Sequence, residues 1–93
     1  MEKFRPLSAI CGRTVVDARG EPVGLIHDVL LNVREGRVEY VCIALIRDDD
    51  AEAAEAVVPW SVLRMNSEEG PSWRIAASRA VLEDIAQPML MRP

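Results

Sequence analysis

Short runs of β-branched residues, separated by turns that contain glycine, are the feature that most constrains the fold of this chain. Gly20 and Gly36 each lie between two such runs, where a tight turn needs a positive φ angle. Strands at short, regular intervals with turns of this kind indicate a small barrel or a sandwich. The pattern predicts an all-β fold of about six short strands, at residues 12–17, 22–33, 38–46, 56–59, 64–66 and 73–76.

The chain has 93 residues, a length that suits one domain with a single modest core. No linker or repeat divides it, so we expect a single domain over residues 1–93. Its barrel is predicted to occupy residues 7–77, a short C-terminal helix residues 78–86 and a tail residues 87–93. Ser78 is a suitable N-cap for that helix, and Val81, Leu82 and Ile85 share one apolar face at helical spacing.

Charge and hydropathy exclude several classes of partner. The net charge of −4 opposes general binding to nucleic acid or to anionic lipid, since both need a surface rich in Lys and Arg. The longest apolar run, residues 40–46, is far shorter than the roughly 20 residues of a membrane-spanning helix. Cys11 and Cys42 do not have metal-ligand spacing and are expected to be a reduced pair. We therefore expect a cytoplasmic protein without membrane insertion.

Four further positions are predicted to shape the barrel. Gly24 interrupts a strand in which apolar residues continue on both sides, which indicates a bulge, a sharp bend or a close backbone approach. Asp28 is expected to accept backbone hydrogen bonds at a turn or bulge. Pro59 is predicted to end a strand, and Trp60 to occupy a core or corner position after it.

Strand 38–46 has apolar side chains on both of its faces. One row consists of Val38, Tyr40, Cys42, Ala44 and Ile46, and the other of Val41, Ile43 and Leu45. We assign the first row to the barrel interior, because the second row begins with Glu39, a residue that prefers water. The second row then lies outside, covered by the C-terminal helix or by a second copy of the chain. This predicts a homodimer with Val41, Ile43 and Leu45 as candidate interface residues, and Trp73 as a further candidate.

Few residues suggest chemistry. His27 and Asp28 are neighbours in a strand, so their side chains point to opposite faces and cannot easily act together. The acidic segment 48–55 lacks the central glycine and closing glutamate of a calcium loop, which favours a solvated loop that would also permit docking of a basic partner. We expect no enzyme activity, no metal and no cofactor.

Taken together, these motifs resemble the PRC-barrel domain family. The resemblance covers about residues 7–88, and the motifs that carry it are Gly20-Glu21-Pro22-Val23-Gly24, Asp28-Val29, Gly36-Arg37-Val38 and Val58-Pro59-Trp60. The family is named for the cytoplasmic barrel of the photosynthetic reaction centre H subunit, and a similar barrel forms the C-terminal half of a bacterial ribosome maturation factor. Where the family often has Asp at the end of the second strand, this chain has Asn32.

The resemblance implies a β-barrel that serves as an adaptor in protein–protein contacts, with no reaction attached to it. The function expected is therefore a non-catalytic interaction barrel that self-associates and binds a protein partner that the sequence does not identify. Two alternatives stay open at this point. One is a small-ligand-binding module with a pocket at a barrel mouth, and the other is a factor associated with the ribosome or RNA processing, which the acidic charge disfavours.

Overall fold

The computed structural model describes residues 6–47, 52–66 and 72–89, and most of this part of the chain is β-strand. The strands are β1 (Thr14–Val16), β2 (Pro22–Asn32), β3 (Arg37–Leu45), β4 (Ala54–Pro59), β5 (Leu63–Asn66), β6 (Ser72–Ile75) and β7 (Gln87–Pro88). Two 3₁₀ turns, Leu7–Ala9 and Trp60–Val62, and one helix, α1 (Arg79–Ile85), complete it. The all-β prediction with a short C-terminal helix is confirmed, and the two-residue β7 is an addition to it.

The strands form one sheet in the order β5-β6-β1-β2-β3-β4-β7. All neighbours are antiparallel except β1 and β6, which are parallel. Leu63 of β5 and Val58 of β4, from strands far apart in this order, belong to the same hydrophobic cluster. The sheet therefore curls around a single core, as a barrel does.

The core lies on the inner face of the curled sheet. Its buried members are Ile10, Val15, Val23, Ile26, Val41, Ile43, Ala56, Val58, Leu63, Ile75 and Leu82. Most are β-branched or leucine side chains that pack well against a pleated surface, which explains a core with few aromatic residues. The side chain of Leu82 comes from α1 and has no exposed surface, so the helix helps to cover this core.

The predicted orientation of β3 is wrong. Val41 and Ile43 are fully buried in the core and Leu45 packs against it, whereas Tyr40 is 45% exposed on the other face. Glu39 misled the assignment, because it lies at the rim of the barrel near the start of β3. There its carboxylate accepts a hydrogen bond from Asn32 Nδ2 at 3.1 Å. Val41, Ile43 and Leu45 therefore belong to the core of one chain and are not an interface.

Gly24 has a different role from the bend predicted at that position. Its φ is not positive, and the irregularities lie nearby: the pairing with β1 skips Val23, and the pairing with β3 skips His27. A Cβ on Gly24 would lie 2.5 Å from the carbonyl oxygen of Ala44 and 2.6 Å from Cγ2 of Ile43. The alternative prediction, a close backbone approach, therefore explains this glycine.

The glycine turns are as the sequence indicates. Gly20 and Gly36 have φ angles of 85° and 70°, which few other residues adopt without strain. In the turn that contains Gly36, the Asn32 side chain accepts hydrogen bonds from the backbone N–H groups of Arg34 and Glu35, both at 3.0 Å. Asn32 thus organises this turn without the charge of an aspartate.

Helix α1 begins at the predicted cap, where the Ser78 side chain accepts a hydrogen bond from the Val81 N–H at 3.3 Å. Two arginines fix the helix to the end of β3. Arg47 forms an ion pair of 2.7 Å with Glu83, and Arg79 donates a hydrogen bond to the backbone carbonyl of Ile46. Val81 stays about half exposed, so the helix covers the core mainly with Leu82.

The acidic segment 48–55 is only partly as predicted. Residues 48–51 lie outside the described residues, as do residues 67–71 and 90–93. Ala54 and Glu55 belong to β4 instead of a loop, and Glu55 is only 1% exposed. The pairing of Glu55 with Gln87 of β7 contributes to this burial, and β7 was absent from the prediction. In the described chain no helix has the length and hydropathy to span a bilayer.

Candidate protein-interaction surface

The outer face of the three central strands carries three cross-strand rows. Residues directly opposite each other in antiparallel strands share a face, so the pairing register defines these rows. From β2 through β3 to β4 they are Leu30, Tyr40 and Pro59; Asp28, Cys42 and Val57; and Leu25, Ala44 and Glu55. We call the apolar members Leu25, Leu30, Tyr40, Val57 and Pro59 the outer-face patch.

The outer-face patch is exposed at opposite ends and closed in the middle. Tyr40 is 45% exposed and Leu25 43%, while Leu30 and Val57 are half-buried. Cys42, between the end rows, has no exposed surface. Apolar side chains therefore reach solvent at both ends of this face, and this exposed apolar surface makes it a candidate interaction surface.

A shallow cavity of about 330 Å³ opens beside Tyr40. Pro59 and Trp60 form one wall of it, and Arg37 and Glu39 stand at its polar side. Trp60 lies in the 3₁₀ turn after β4, half-buried against the core, as predicted for a corner residue. Its ring lies 5.2 Å from that of Trp73, tilted by 57°. Trp73 is thus half-buried beside Trp60, and its part in an interface remains a prediction.

The charged groups beside the cavity compensate one another only in part. The Arg37 guanidinium forms an ion pair of 2.7 Å with Glu35 and approaches Glu39 at 3.6 Å. Both contacts reach solvent and contribute little to stability. Because two carboxylates meet one guanidinium, the rim beside the outer-face patch keeps a small negative charge.

His27 and Asp28, the neighbouring pair considered for chemistry, differ in their surroundings. Asp28 is half-buried and accepts a hydrogen bond from the Val29 N–H at 2.9 Å, as expected of a carboxylate at a bulge. His27, the residue skipped by β3, is exposed. Among residues 6–47, 52–66 and 72–89, no cluster of three or more His, Cys, Asp or Glu side chains could hold a metal ion.

Sequence reasoning missed most of the outer-face patch. Leu25 and Leu30 lie on the same face although five positions separate them, an odd spacing that strict alternation assigns to opposite faces. The skipped residue His27 shifts the alternation by one position. Between Leu25 and Leu30, the sequence signals an irregularity only through the polar residues His27 and Asp28. They interrupt the apolar side chains but do not show at which position the alternation shifts.

Comparison with known proteins agrees with this architecture. The model of the PRC-barrel domain family matches residues 2–70, about three quarters of the chain. The match contains β1 to β5 and the whole outer-face patch, and it ends before β6, earlier than the expected limit at residue 88. No curated protein matches the chain. The order of strands and turns, the curled sheet and this match show that the chain belongs to the PRC-barrel domain family.

Proposed function

We propose that this PRC-barrel domain is a non-catalytic protein-interaction module that self-associates through the outer-face patch. The observation that carries the proposal is the exposure of Tyr40 and Leu25, which lie in the two end rows on the outer face of the central strands. The barrel core lies on the opposite face of the same strands. The apolar side chains of the outer face therefore do not fill the barrel interior. A partner that covers them would bury this apolar surface.

The apolar character of the outer-face patch favours a second copy of the chain as the partner. Two copies with a net charge of −4 each repel each other overall, so a contact between them is most favourable where few charges meet. Beside the patch, Arg37 offsets one of the two negative charges of Glu35 and Glu39. A two-fold contact places the same patch on both sides of the interface, so apolar side chains meet apolar side chains.

The two alternatives have less support from the described residues. A ligand pocket needs polar groups that converge on the ligand, and the charged groups beside the cavity at Tyr40 already bind each other. A role in RNA processing needs a basic surface, which a chain with 15 acidic and 11 basic residues is poorly suited to provide.

Light scattering coupled to size exclusion tests the proposal. We expect wild-type protein at micromolar concentration to have twice the 10.3 kDa mass of one chain. Leu25→Lys combined with Tyr40→Lys should reduce the mass to that of one chain without loss of folded structure, because both side chains are partly exposed. Val33→Lys is the matched control, since Val33 is 86% exposed and lies outside the patch.

The circular dichroism spectrum and the melting temperature at low concentration show whether the double variant stays folded. A wild-type mass of one chain would contradict self-association. A double variant that keeps the mass of two chains would contradict the outer-face patch as the contact.

A further inference from the structure

A second surface lies where β5 and β6 approach the turn between β1 and β2. It is a groove of about 460 Å³ lined by Ala18, Val62, Ile75 and Ala76, of which Ile75 is only 1% exposed and belongs to the core. Arg64 and Arg74 extend beside this apolar floor. The groove thus combines apolar contact area with two cations, and it shares no residue with the outer-face patch.

The two arginines face each other directly. In the antiparallel pairing of β5 and β6, Arg64 is opposite Arg74, and both side chains are exposed. Like charges at directly opposed positions destabilise a sheet. Within the described residues the ion pairs involve Arg37, Arg47 and Arg79, and neither Arg64 nor Arg74 has a carboxylate at ion-pair distance. A bound anion would therefore relieve a repulsion that the described part of the chain leaves in place.

Backbone carbonyls hold both guanidinium groups in position. Nη1 of Arg74 donates to the carbonyl of Ala18 at 3.1 Å, and Nη1 of Arg64 donates to the carbonyl of Leu63 at 2.9 Å. A guanidinium has five N–H donors in a planar fork that matches a carboxylate. In the described structure only Nη1 of each arginine donates these hydrogen bonds. Nε and Nη2 are therefore available to a ligand, on guanidinium groups that are already held in position.

We propose that this groove binds an acidic segment of a partner protein, with two carboxylates on Arg64 and Arg74 and an apolar side chain on the floor. Charge complementarity carries the assignment, because two adjacent cations stand out on a chain whose net charge is −4. Nucleic acid is a poorer fit. Its affinity comes from many phosphate contacts, and the groove offers two cations over an apolar floor.

Fluorescence anisotropy with a labelled Glu-Leu-Glu-Leu-Glu peptide tests the proposal on the full chain. The matched peptide has glutamine at each glutamate position, and it should bind at least tenfold more weakly, since hydrogen bonds between charged groups are stronger than those to a neutral amide. Arg64→Gln combined with Arg74→Gln should weaken the glutamate peptide by a similar factor. Arg34→Gln is the control, because Arg34 is exposed in the β2–β3 turn and lies outside the groove.

The melting temperature without peptide separates binding from a structural role. The double glutamine variant loses the repulsion between the arginines and also their hydrogen bonds to the carbonyls of Ala18 and Leu63, so its melting temperature should stay close to that of wild type. The double variant Arg64→Lys and Arg74→Lys keeps both charges but loses the planar guanidinium groups, so it should bind the glutamate peptide with intermediate affinity. It also provides a second test if the glutamine variant does not fold.

Three results would overturn the proposal. They are equal binding of the glutamate and glutamine peptides, unchanged peptide affinity in both arginine variants, and tighter binding of an oligouridine RNA than of the glutamate peptide through the same arginines. Loss of the two-chain mass in light scattering would leave these measurements unaffected, since the groove does not depend on self-association.

Discussion

The two faces of β3 have nearly the same apolar character in the sequence, yet the barrel uses them differently. Val41 and Ile43 on the inner face belong to a core cluster with side chains from β1, β2, β4, β5 and β6, and they have no exposed surface. On the outer face Tyr40 keeps 45% of its surface exposed, although Cys42 in the middle of that face has none. The curl of the sheet makes this difference, because only the inner face meets other strands across the barrel. Apolar composition therefore shows that burial of a face is favourable, and the curvature of the sheet determines which face becomes the core.

A charge placed on each face should give the largest contrast. Ile43→Asp buries a carboxylate in the core and should destabilise the fold by about 4 kcal/mol or more, enough to unfold much of the protein. Tyr40→Asp, the matched change on the outer face, should have a much smaller effect on the monomer because this position reaches solvent. Urea unfolding followed by circular dichroism measures both, and similar losses of stability would contradict the assigned faces.

The close approach at Gly24 predicts the next largest effect. Gly24→Ala places a methyl group against the backbone carbonyl of Ala44, which can move only if β2 and β3 separate. We expect a loss of about 1–3 kcal/mol in the free energy of unfolding, as for other overpacked positions. Thermal and urea unfolding measure it. Wild-type stability in Gly24→Ala would contradict the close contact between these strands.

Gly36 provides a comparison with a different physical cause. A Cβ there meets open space, but φ is +70°. Gly36→Ala should therefore cost about 1–2 kcal/mol through backbone strain alone. Asparagine tolerates this conformation, so Gly36→Asn should recover much of the loss, whereas Gly24→Asn should be no better than Gly24→Ala. Equal recovery at the two positions would show that the two glycines serve the same purpose.

These contrasts also explain which parts of the fold could be predicted from the sequence. Gly20 and Gly36 are local signals, since a turn that needs positive φ favours glycine whatever surrounds it. The shift at His27 is not local, because it appears only in the pairing of β2 with β3. Glu39 correctly indicated a position near solvent, but it did not identify the outer face of β3, because it lies at the barrel rim. The outer-face patch depends on the shift at His27 and on the rim position of Glu39, and neither is visible in the sequence. Reasoning from the sequence therefore assigned the candidate interface residues to the wrong face of β3.

The smallest predicted effect concerns the end of the barrel that α1 covers. A hydrogen bond from Arg47 lowers the pKa of Glu83 below its ordinary value of 4.5, with further lowering from the nearby charges of Arg47 and Arg79. A carboxylate with a lowered pKa in the folded state stabilises that state above its unfolded pKa, and the contribution disappears as the pH falls through the folded value.

Glu83→Gln should accordingly reduce the melting temperature by no more than a few degrees near pH 7, since the pair is partly exposed and solvent screens it. The difference from wild type should shrink as the pH falls below 4.5 and disappear once the pH is low enough to protonate Glu83, which then no longer attracts Arg47. Glu21→Gln is the control, because Glu21 is exposed in the β1–β2 turn and its backbone N–H and carbonyl, not its side chain, make the hydrogen bonds with Asp17. Scanning calorimetry near pH 7 and at low pH provides the measurement. A Glu83→Gln deficit that persists undiminished at low pH would mean that packing of the side chain, and not its charge, fixes α1 against the core that the inner face of β3 helps to form.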